Sequence, residues 1–285
     1  MLLASLAMLS LALAPASDTT FGVQRGERLE LSVQNGDITV RTWSRNSVEV
    51  RTSTSAETTV RRHGGVIELD TDTRHAGEDV DYEITVPTWM DLTLEGVNTD
   101  IKVTGSDAAI SAQTVEGDVD VEGGSGVVNL QSVDGEVSLT RSRGKITLGS
   151  VNSDVTVDGA SGQLSVETVN GEIKLRNVDS DDVDVSTVNG DVTYDGPIRT
   201  RGRYHFVTHN GDVTVAIQEG ADAVVGVSTY GGDFESEFPV TTRGTQQKHF
   251  TFTLGSGSAR IELETFQGTI HLVRPTGAAG TRTRR

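Results

Sequence analysis

The most regular chemical feature of the sequence is a series of carboxylates. Seven acidic residues recur in one context, at steps of 18 to 21 residues: Asp100, Asp118, Glu136, Asp154, Glu172, Asp191 and Asp212. Oxygen ligands repeated in this way could form a line of weak Ca²⁺ sites or a rail for a basic partner. The alternative, which we favour, is that each carboxylate accepts turn N–H groups and keeps a β-sheet soluble.

Other motifs give little support for chemistry. The nearest match to the calcium-binding Gly-Gly-x-Gly-x-Asp repeat begins at Gly123, but Val128 occupies its aspartate position. The six histidines have no metal-ligand spacing, and no P-loop, dinucleotide-binding or Gly-x-Ser-x-Gly motif occurs. The sequence therefore predicts no catalytic, cofactor-binding or metal-ligating residues and no cofactor.

A second polar series consists of hydroxyl residues. It comprises Thr114, Ser132, Ser150, Thr168, Thr187 and Thr208. These hydroxyls could bind glycans, but a structural hydroxyl ladder beside a turn explains them more simply.

Composition narrows the function classes. The 285 residues carry a net charge of −17, with 24 Lys and Arg against 41 Asp and Glu. Such a chain repels phosphate backbones, so we expect no nucleic-acid partner. The absence of Cys excludes disulfides and thiolate sites. Aromatic residues make up only 5%, which predicts a core of small aliphatic side chains.

The elements that position these residues follow an internal repeat. Gly117, Gly135, Gly171, Gly190 and Gly211 lie in a common acid- or Asn-Gly-acid-Val/Ile context, and Thr99 and Ser153 fill the same slot. The unit of about 18 residues holds two short strands with alternating apolar residues. One apolar column runs Ile101, Val119, Val137, Val155, Ile173, Val192, Val213, and a further one just before the turn runs Val97, Val115, Val133, Val151, Val169, Val188.

Columns of like residues are expected when every coil repeats the same environment. We therefore predict an all-β fold, a right-handed parallel β-solenoid with 18-residue coils and a β-rich N-terminal cap. An antiparallel β-meander or sandwich is the alternative, because Asn-Gly also favours hairpins. We expect Asn in the left-handed region at the corner, and positive φ at Gly171 and Gly190.

The chain divides into four predicted parts. Residues 1–16 are typical of a signal peptide cut after Ala16. Residues 17–96 form the cap, residues 97–273 form the solenoid, and residues 274–285 form a disordered basic tail. No other stretch is apolar enough to span a membrane, so we expect an exported protein in the periplasm, at the cell surface or secreted.

The repeated Val-Asn-Gly-Asp-Val segments resemble those of the bacterial DUF4097 putative-adhesin family. Val86-Pro87 before the first coil and the closing Gly-Ser-Gly-Ser-Ala-Arg-Ile-Glu-Leu segment resemble it too. The resemblance covers most of residues 30–273. It implies an exported or envelope-associated β-helical protein, and it supplies no catalytic residues.

Two functions follow from these observations. The first is a noncatalytic adhesion, scaffolding or ligand-sensing module, with an envelope protein or a glycan as its unidentified partner. The second is a polysaccharide-active β-helix enzyme, a lyase or hydrolase. Such an enzyme needs loops that wall a groove, and only residues 190–235, where the spacing lengthens, could supply them. The sequence does not predict the oligomeric state.

Overall fold

The structure is a computed structural model that describes residues 17–54, 58–71, 79–240 and 248–275. The predicted signal peptide and most of the predicted tail lie outside these residues. The described part of the chain contains strands and turns but no helix, and hence no helix that could cross a membrane.

Alternating apolar and polar residues form 26 strands within the described ranges. The N-terminal strands are β1 (Ser17–Gly22), β2 (Arg28–Asn35), β3 (Ile38–Trp43), β4 (Ser47–Thr52), β5 (Thr58–His63), β6 (Val66–Thr71) and β7 (Tyr82–Pro87). The repeat contains β8 (Asp91–Asn98), β9 (Ile101–Ser106), β10 (Ile110–Gln113), β11 (Val119–Gly123), β12 (Ser125–Gln131), β13 (Val137–Thr140), β14 (Arg143–Gly149), β15 (Val155–Asp158), β16 (Ser161–Glu167), β17 (Ile173–Arg176), β18 (Asp179–Asn189), β19 (Val192–Asp195), β20 (Arg203–Asn210) and β21 (Val213–Ala216). The last strands are β22 (Ala223–Thr229), β23 (Phe234–Ser236), β24 (His249–Leu254), β25 (Ala259–Gln267) and β26 (Ile270–Val273).

The strands build two sheets of 13 strands each. One has the order β1-β4-β7-β3-β9-β11-β13-β15-β17-β19-β21-β26-β23, and the other β24-β22-β25-β20-β18-β16-β14-β12-β10-β8-β2-β6-β5. Successive coils pair in parallel, with Val119 opposite Val137 and Val155 opposite Ile173. The predicted parallel β-solenoid is thus confirmed, and the meander is wrong for the repeat.

The core lies between the two sheets. The column from Ile101 to Val213 is fully buried, and so is its counterpart from Ile110 to Tyr204 on the opposite sheet. Small aliphatic residues fill most coils, whereas Tyr194, Tyr204 and Phe206 enlarge the core near the C-terminal end and pack against one another. The strands of the repeat therefore each bury one face, as the alternation predicts.

Both ends of the solenoid depart from chain order. β2 and β3 pair directly with β8 and β9, so the parallel ladders extend N-terminally beyond residue 97. At the other end, β25 and β26 lie between the β20/β21 coil and the β22/β23 coil. Three of the four sheet ends carry antiparallel pairs, β1–β4 with β4–β7, β5–β6, and β22–β24, whereas β23 pairs in parallel with β26. Antiparallel additions of this kind cover the open ends of the parallel stack.

Two of the corner glycines, Gly171 and Gly190, have a different role from the predicted one, whereas Gly117 in the same slot has φ of +139°. Neither Gly171 nor Gly190 has positive φ, and the asparagines of the repeated corners do not lie in the left-handed region either. The reason for glycine is the close approach of neighbouring coils. A Cβ at Gly190 would lie 1.9 Å from Gly171 O, and one at Gly171 would lie 2.2 Å from Ser153 O.

Candidate functional site

The acidic column lies at the corner where each coil enters the first sheet, and most of its members are exposed. Its aspartates bind the backbone of the next coil. Asp100 Oδ1 accepts the N–H of Asp118 at 2.8 Å, and Asp154 Oδ1 accepts that of Glu172 at 2.7 Å. Asp118, Asp191 and Asp212 make the same contact with the coil that follows them. These carboxylates therefore act as turn acceptors.

The two glutamates of the column behave differently. Glu172 pairs with Lys174 at 2.6 Å, and Glu136 contacts the Thr156 hydroxyl at 3.5 Å. The pairing with Glu172 raises the pKa of Lys174. Among the described residues, no group of three His, Asp or Glu side chains is arranged to hold a metal ion. The calcium interpretation of the column thus gains no geometric support.

The column continues N-terminally at Asp37, which has two acidic neighbours, Asp81 and Asp100. The Asp37 N–H donates to Asp81 Oδ1 at 3.0 Å, and Ile38 N donates to Asp100 O at 2.8 Å. Burial raises the pKa of Asp37, and the carboxylates of Asp100 and Asp81 raise it further. Like charges are therefore held together at this end of the corner.

The hydroxyl series is a buried structural ladder. Thr187 Oγ1 donates to Gly171 O at 3.2 Å, and Thr208 Oγ1 donates to Gly190 O at 2.9 Å. Every member of the series makes the equivalent bond to the preceding corner. Because these hydroxyls are buried and occupied, they are not available to a glycan.

Amide side chains form a second ladder, on the surface of the corner. Asn170 Nδ2 donates to Asn152 Oδ1 at 3.0 Å, and Asn189 repeats the contact to Asn170 at 2.8 Å. Asn210 extends the ladder to the next coil at 2.8 Å. The polar columns of the corner are therefore largely engaged in joining one coil to the next.

One column of the corner has no such role. Val97, Val115, Val133, Val151, Val169 and Val188 point outward, with side chains between 36% and 45% exposed. Backbone hydrogen bonds between successive coils hold these valines in one row. Val115 O accepts the N–H of Asp134 at 2.8 Å, and Val133 O accepts the N–H of Asn152 at 2.9 Å. The strand register continues the column through His209, Phe266 and Tyr230. We call these nine residues the corner stripe.

The aromatic end of the corner stripe is stacked along the solenoid. His209 and Phe266 lie 4.6 Å apart with an interplanar angle of 8°, and Phe266 and Tyr230 lie 5.3 Å apart at 29°. Tyr230 also contacts His249 edge-on at 5.0 Å. Phe266 therefore lies between the other two rings. The exposed fraction is 42% for Phe266 and 47% for Tyr230.

An open groove of about 570 Å³ runs beside the middle of the corner stripe. Val115, Val133 and Val151 line this groove, and so do Gln131 and Glu167. The stripe, the groove and the amide ladder together make a long, apolar-centred surface on one edge of the solenoid. Such a surface can bind a partner by burying valine methyl groups.

The model of the family Toastrack DUF4097 matches residues 26–273. The chain belongs to the DUF4097 family. The resemblance drawn from the Val-Asn-Gly-Asp-Val segments is thereby confirmed.

Solved structures share the DUF4097 fold at low sequence identity. A putative adhesin from Parabacteroides merdae ATCC 43184 is 8% identical, has a TM-score of 0.53, and is matched over 91% of this chain and 96% of its own. A putative adhesin from Parabacteroides distasonis ATCC 8503 is 9% identical, has a TM-score of 0.50, and is matched over 91% and 97%. No curated protein matches the chain. These likenesses show the fold.

The corner stripe of this DUF4097 chain is the feature that sequence reasoning missed. The pattern identifies the column as apolar but gives no direction for its side chains. The phase of the strand contains that information, because Ile110, Ala112 and Thr114 alternate inward. Val115, one position later, must therefore point outward.

Proposed function

We propose that this DUF4097 chain is a noncatalytic, exported protein that acts in the periplasm or at the cell surface as an adhesion, scaffolding or ligand-sensing module. The corner stripe is the observation that carries the proposal. Monomeric proteins seldom expose long contiguous apolar patches, and those that do usually bind a partner there. Nine aligned coils span about 38 Å at about 4.8 Å per coil, so the stripe is long enough to serve as an interface.

Local folding does not require valine in the corner stripe. Threonine has the same branching at Cβ and a similar preference for strands, yet it would leave a wetter surface. Six valines nevertheless occupy successive coils at this outward position. Their repetition in six coils is explained by a partner that buries them, which agrees with the adhesin-like structures of the same fold.

The enzyme alternative gains no support from the region that could have carried it. Within residues 190–235, the large side chain of Tyr194 and its neighbours Tyr204 and Phe206 are buried in the core. The connections of this region are short as well, with residues 196–202 between β19 and β20 and residues 217–222 between β21 and β22. Connections of this length are not the long loops that a polysaccharide-active enzyme would need to enclose its substrate.

A retention assay tests the proposed function. The full chain is immobilised and incubated with envelope fragments, beside a stripe variant carrying Val115→Thr, Val133→Thr and Val151→Thr. The matched control is Val127→Thr, because Val127 is 59% exposed but lies outside the stripe. We expect saturable retention by the wild type and the control, and loss in the stripe variant.

Two further measurements complete the test. Incubation with acidic and neutral glycans, with and without Ca²⁺, should give no product, and turnover of any glycan would refute the noncatalytic assignment. Fusion of residues 1–30 to a reporter that is active only after export should give activity. An inactive fusion, with the reporter shown to be expressed, would refute export by this segment.

A further inference from the structure

We infer that the corner stripe is the docking site of a basic amphipathic α-helix of a partner protein, which lays its apolar face along the valines and places Lys or Arg on either side. The inference rests on the proposed function and names the chemistry of the partner. Three properties of the surface support it: its charge, its spacing and its shape.

The charged residues of the corner segments are all acidic. Each stripe residue lies in a six-residue corner segment, and together these segments contain 13 Asp and Glu residues and no Lys or Arg. The segments are 95–100, 113–118, 131–136, 149–154, 167–172, 186–191, 207–212, 228–233 and 264–269. Two lysines reach the corner from outside, since Lys174 pairs with Glu172 and Lys248 donates to Tyr230 O. A cationic partner is complementary to this surface.

The same charge argues against two other occupants. A second copy would bring two anionic corners together, because the residues that flank the stripe are acidic or uncharged on both sides. An anionic membrane surface would be repelled for the same reason. A sugar ring would stack on an exposed aromatic face, but both faces of Phe266 are covered, and His209 and Tyr230 each have one face against it.

Spacing favours a helix over a strand. The corner stripe presents one side chain about every 4.8 Å. An α-helix returns to the same face about every 5.4 Å, whereas an extended strand does so only about every 6.7 Å. A ridge of leucines on a helix can therefore follow the valines over several coils and fill the groove beside Val133 and Val151.

The test is fluorescence anisotropy with labelled peptides and the full chain. The probe is an 18-residue peptide of Leu and Lys in a helical amphipathic pattern, about 27 Å long when folded. One control peptide replaces every Lys by Glu, and another has the same composition in strict Leu–Lys alternation. The proteins are the wild type, the stripe variant, Val127→Thr, and the double charge variant Glu116→Gln with Asp134→Asn.

We expect the helical Leu/Lys peptide to bind the wild type and Val127→Thr equally. The stripe variant should bind about tenfold more weakly, because three apolar contacts are lost. The charge variant and 0.5 M salt should each weaken binding severalfold. All variants should keep the strand signal in circular dichroism, since threonine and the amides leave the strand geometry unchanged.

Several results would overturn the inference. Equal binding of the Glu-containing peptide, or of the stripe variant, would refute it. So would tighter binding of the alternating peptide. A dimer in analytical ultracentrifugation that dissociates in the stripe variant, without peptide binding, would assign the surface to a second copy. Retention of envelope fragments through the stripe without peptide binding would refute the helix and leave the proposed function standing.

Discussion

Replacement of Gly190 by alanine tests whether close packing of the corners, rather than backbone conformation, requires glycine. The added Cβ would lie 1.9 Å from Gly171 O and 2.5 Å from Gly171 C. Ordinary contact begins near 3.4 Å, so the two coils must separate locally by more than 1 Å. That movement strains the bond from Thr187 Oγ1 to Gly171 O, which is 3.2 Å long.

The expected cost of Gly190→Ala is about 1–3 kcal/mol of unfolding free energy, the range for overpacking of a close-packed site. The cost is finite because Thr99 and Ser153 carry a Cβ in the same slot of other coils. The matched control is Gly149→Ala in β14, where the nearest atom to a Cβ, Glu167 O, is 3.6 Å away. This control should stay within about 0.5 kcal/mol of the wild type.

Urea denaturation of both variants measures the difference. A second comparison separates packing from conformation, because Gly126 has φ of +83° and nothing within 4 Å of its Cβ position. At Gly126, Asn should be tolerated better than Val, whereas at Gly190 both should be costly. If Gly190→Ala melts like Gly149→Ala, or if Asn rescues position 190, the close-approach explanation is wrong.

Three further outcomes follow from the contacts of single residues. Val155→Asp places a charge in the core and should cost several kcal/mol or prevent folding, whereas Thr156→Asp on the outer face should cost little; equal urea midpoints would contradict the alternation. Asp154→Ala removes an acceptor of a backbone N–H and should cost about 1 kcal/mol, more than Glu136→Ala, and Ca²⁺ should raise the melting temperature no more than Mg²⁺ at equal ionic strength. Because burial and neighbouring carboxylates raise the pKa of Asp37 above 3.8, the folded state holds that proton more tightly than the unfolded state does. Its contribution to stability therefore falls as pH rises above 3.8, and Asp37→Asn should be more stable than the wild type at pH 7; a destabilised variant would contradict this reasoning.

The repeat made the centre of the fold predictable from the sequence. Column identity gave the parallel register, since Val119, Val137 and Val155 can be alike only if each coil meets the same surroundings. Alternation placed these valines in the core and their neighbours outside. At the aspartates of the acidic column, the expected role as acceptors of backbone N–H groups agrees with the bonds to the next coil, although a local turn pattern does not reveal that the donor lies one coil away.

The ends and the corner were less predictable for physical reasons. β20 pairs directly with β25, so residues more than 50 positions apart lie side by side. No local sequence pattern predicts that β25 lies between β20 and β22. The prediction of positive φ at the corner glycines was wrong because glycine is used for two reasons: it adopts left-handed backbone conformations, and it allows close approach of another backbone. Only the position of the neighbouring carbonyl distinguishes them at Gly171 and Gly190.

The corner stripe shows how a repeat can separate folding from binding. At the corners, glycine lets the backbones of neighbouring coils approach closely, and a buried hydroxyl donates to a carbonyl of the preceding coil. On the exposed side of the corner, aspartate and asparagine side chains make hydrogen bonds to the neighbouring coil. The side chains of these columns provide hydrogen-bond partners for the backbone of the turn. Val151 contributes only its main-chain groups to the hydrogen bonds between coils. Its side chain can therefore change without loss of the fold, and the coil repeats that side chain at a fixed interval. A surface of this kind can be tuned to a partner along its whole length, which is why substitutions there should alter binding and leave stability nearly unchanged.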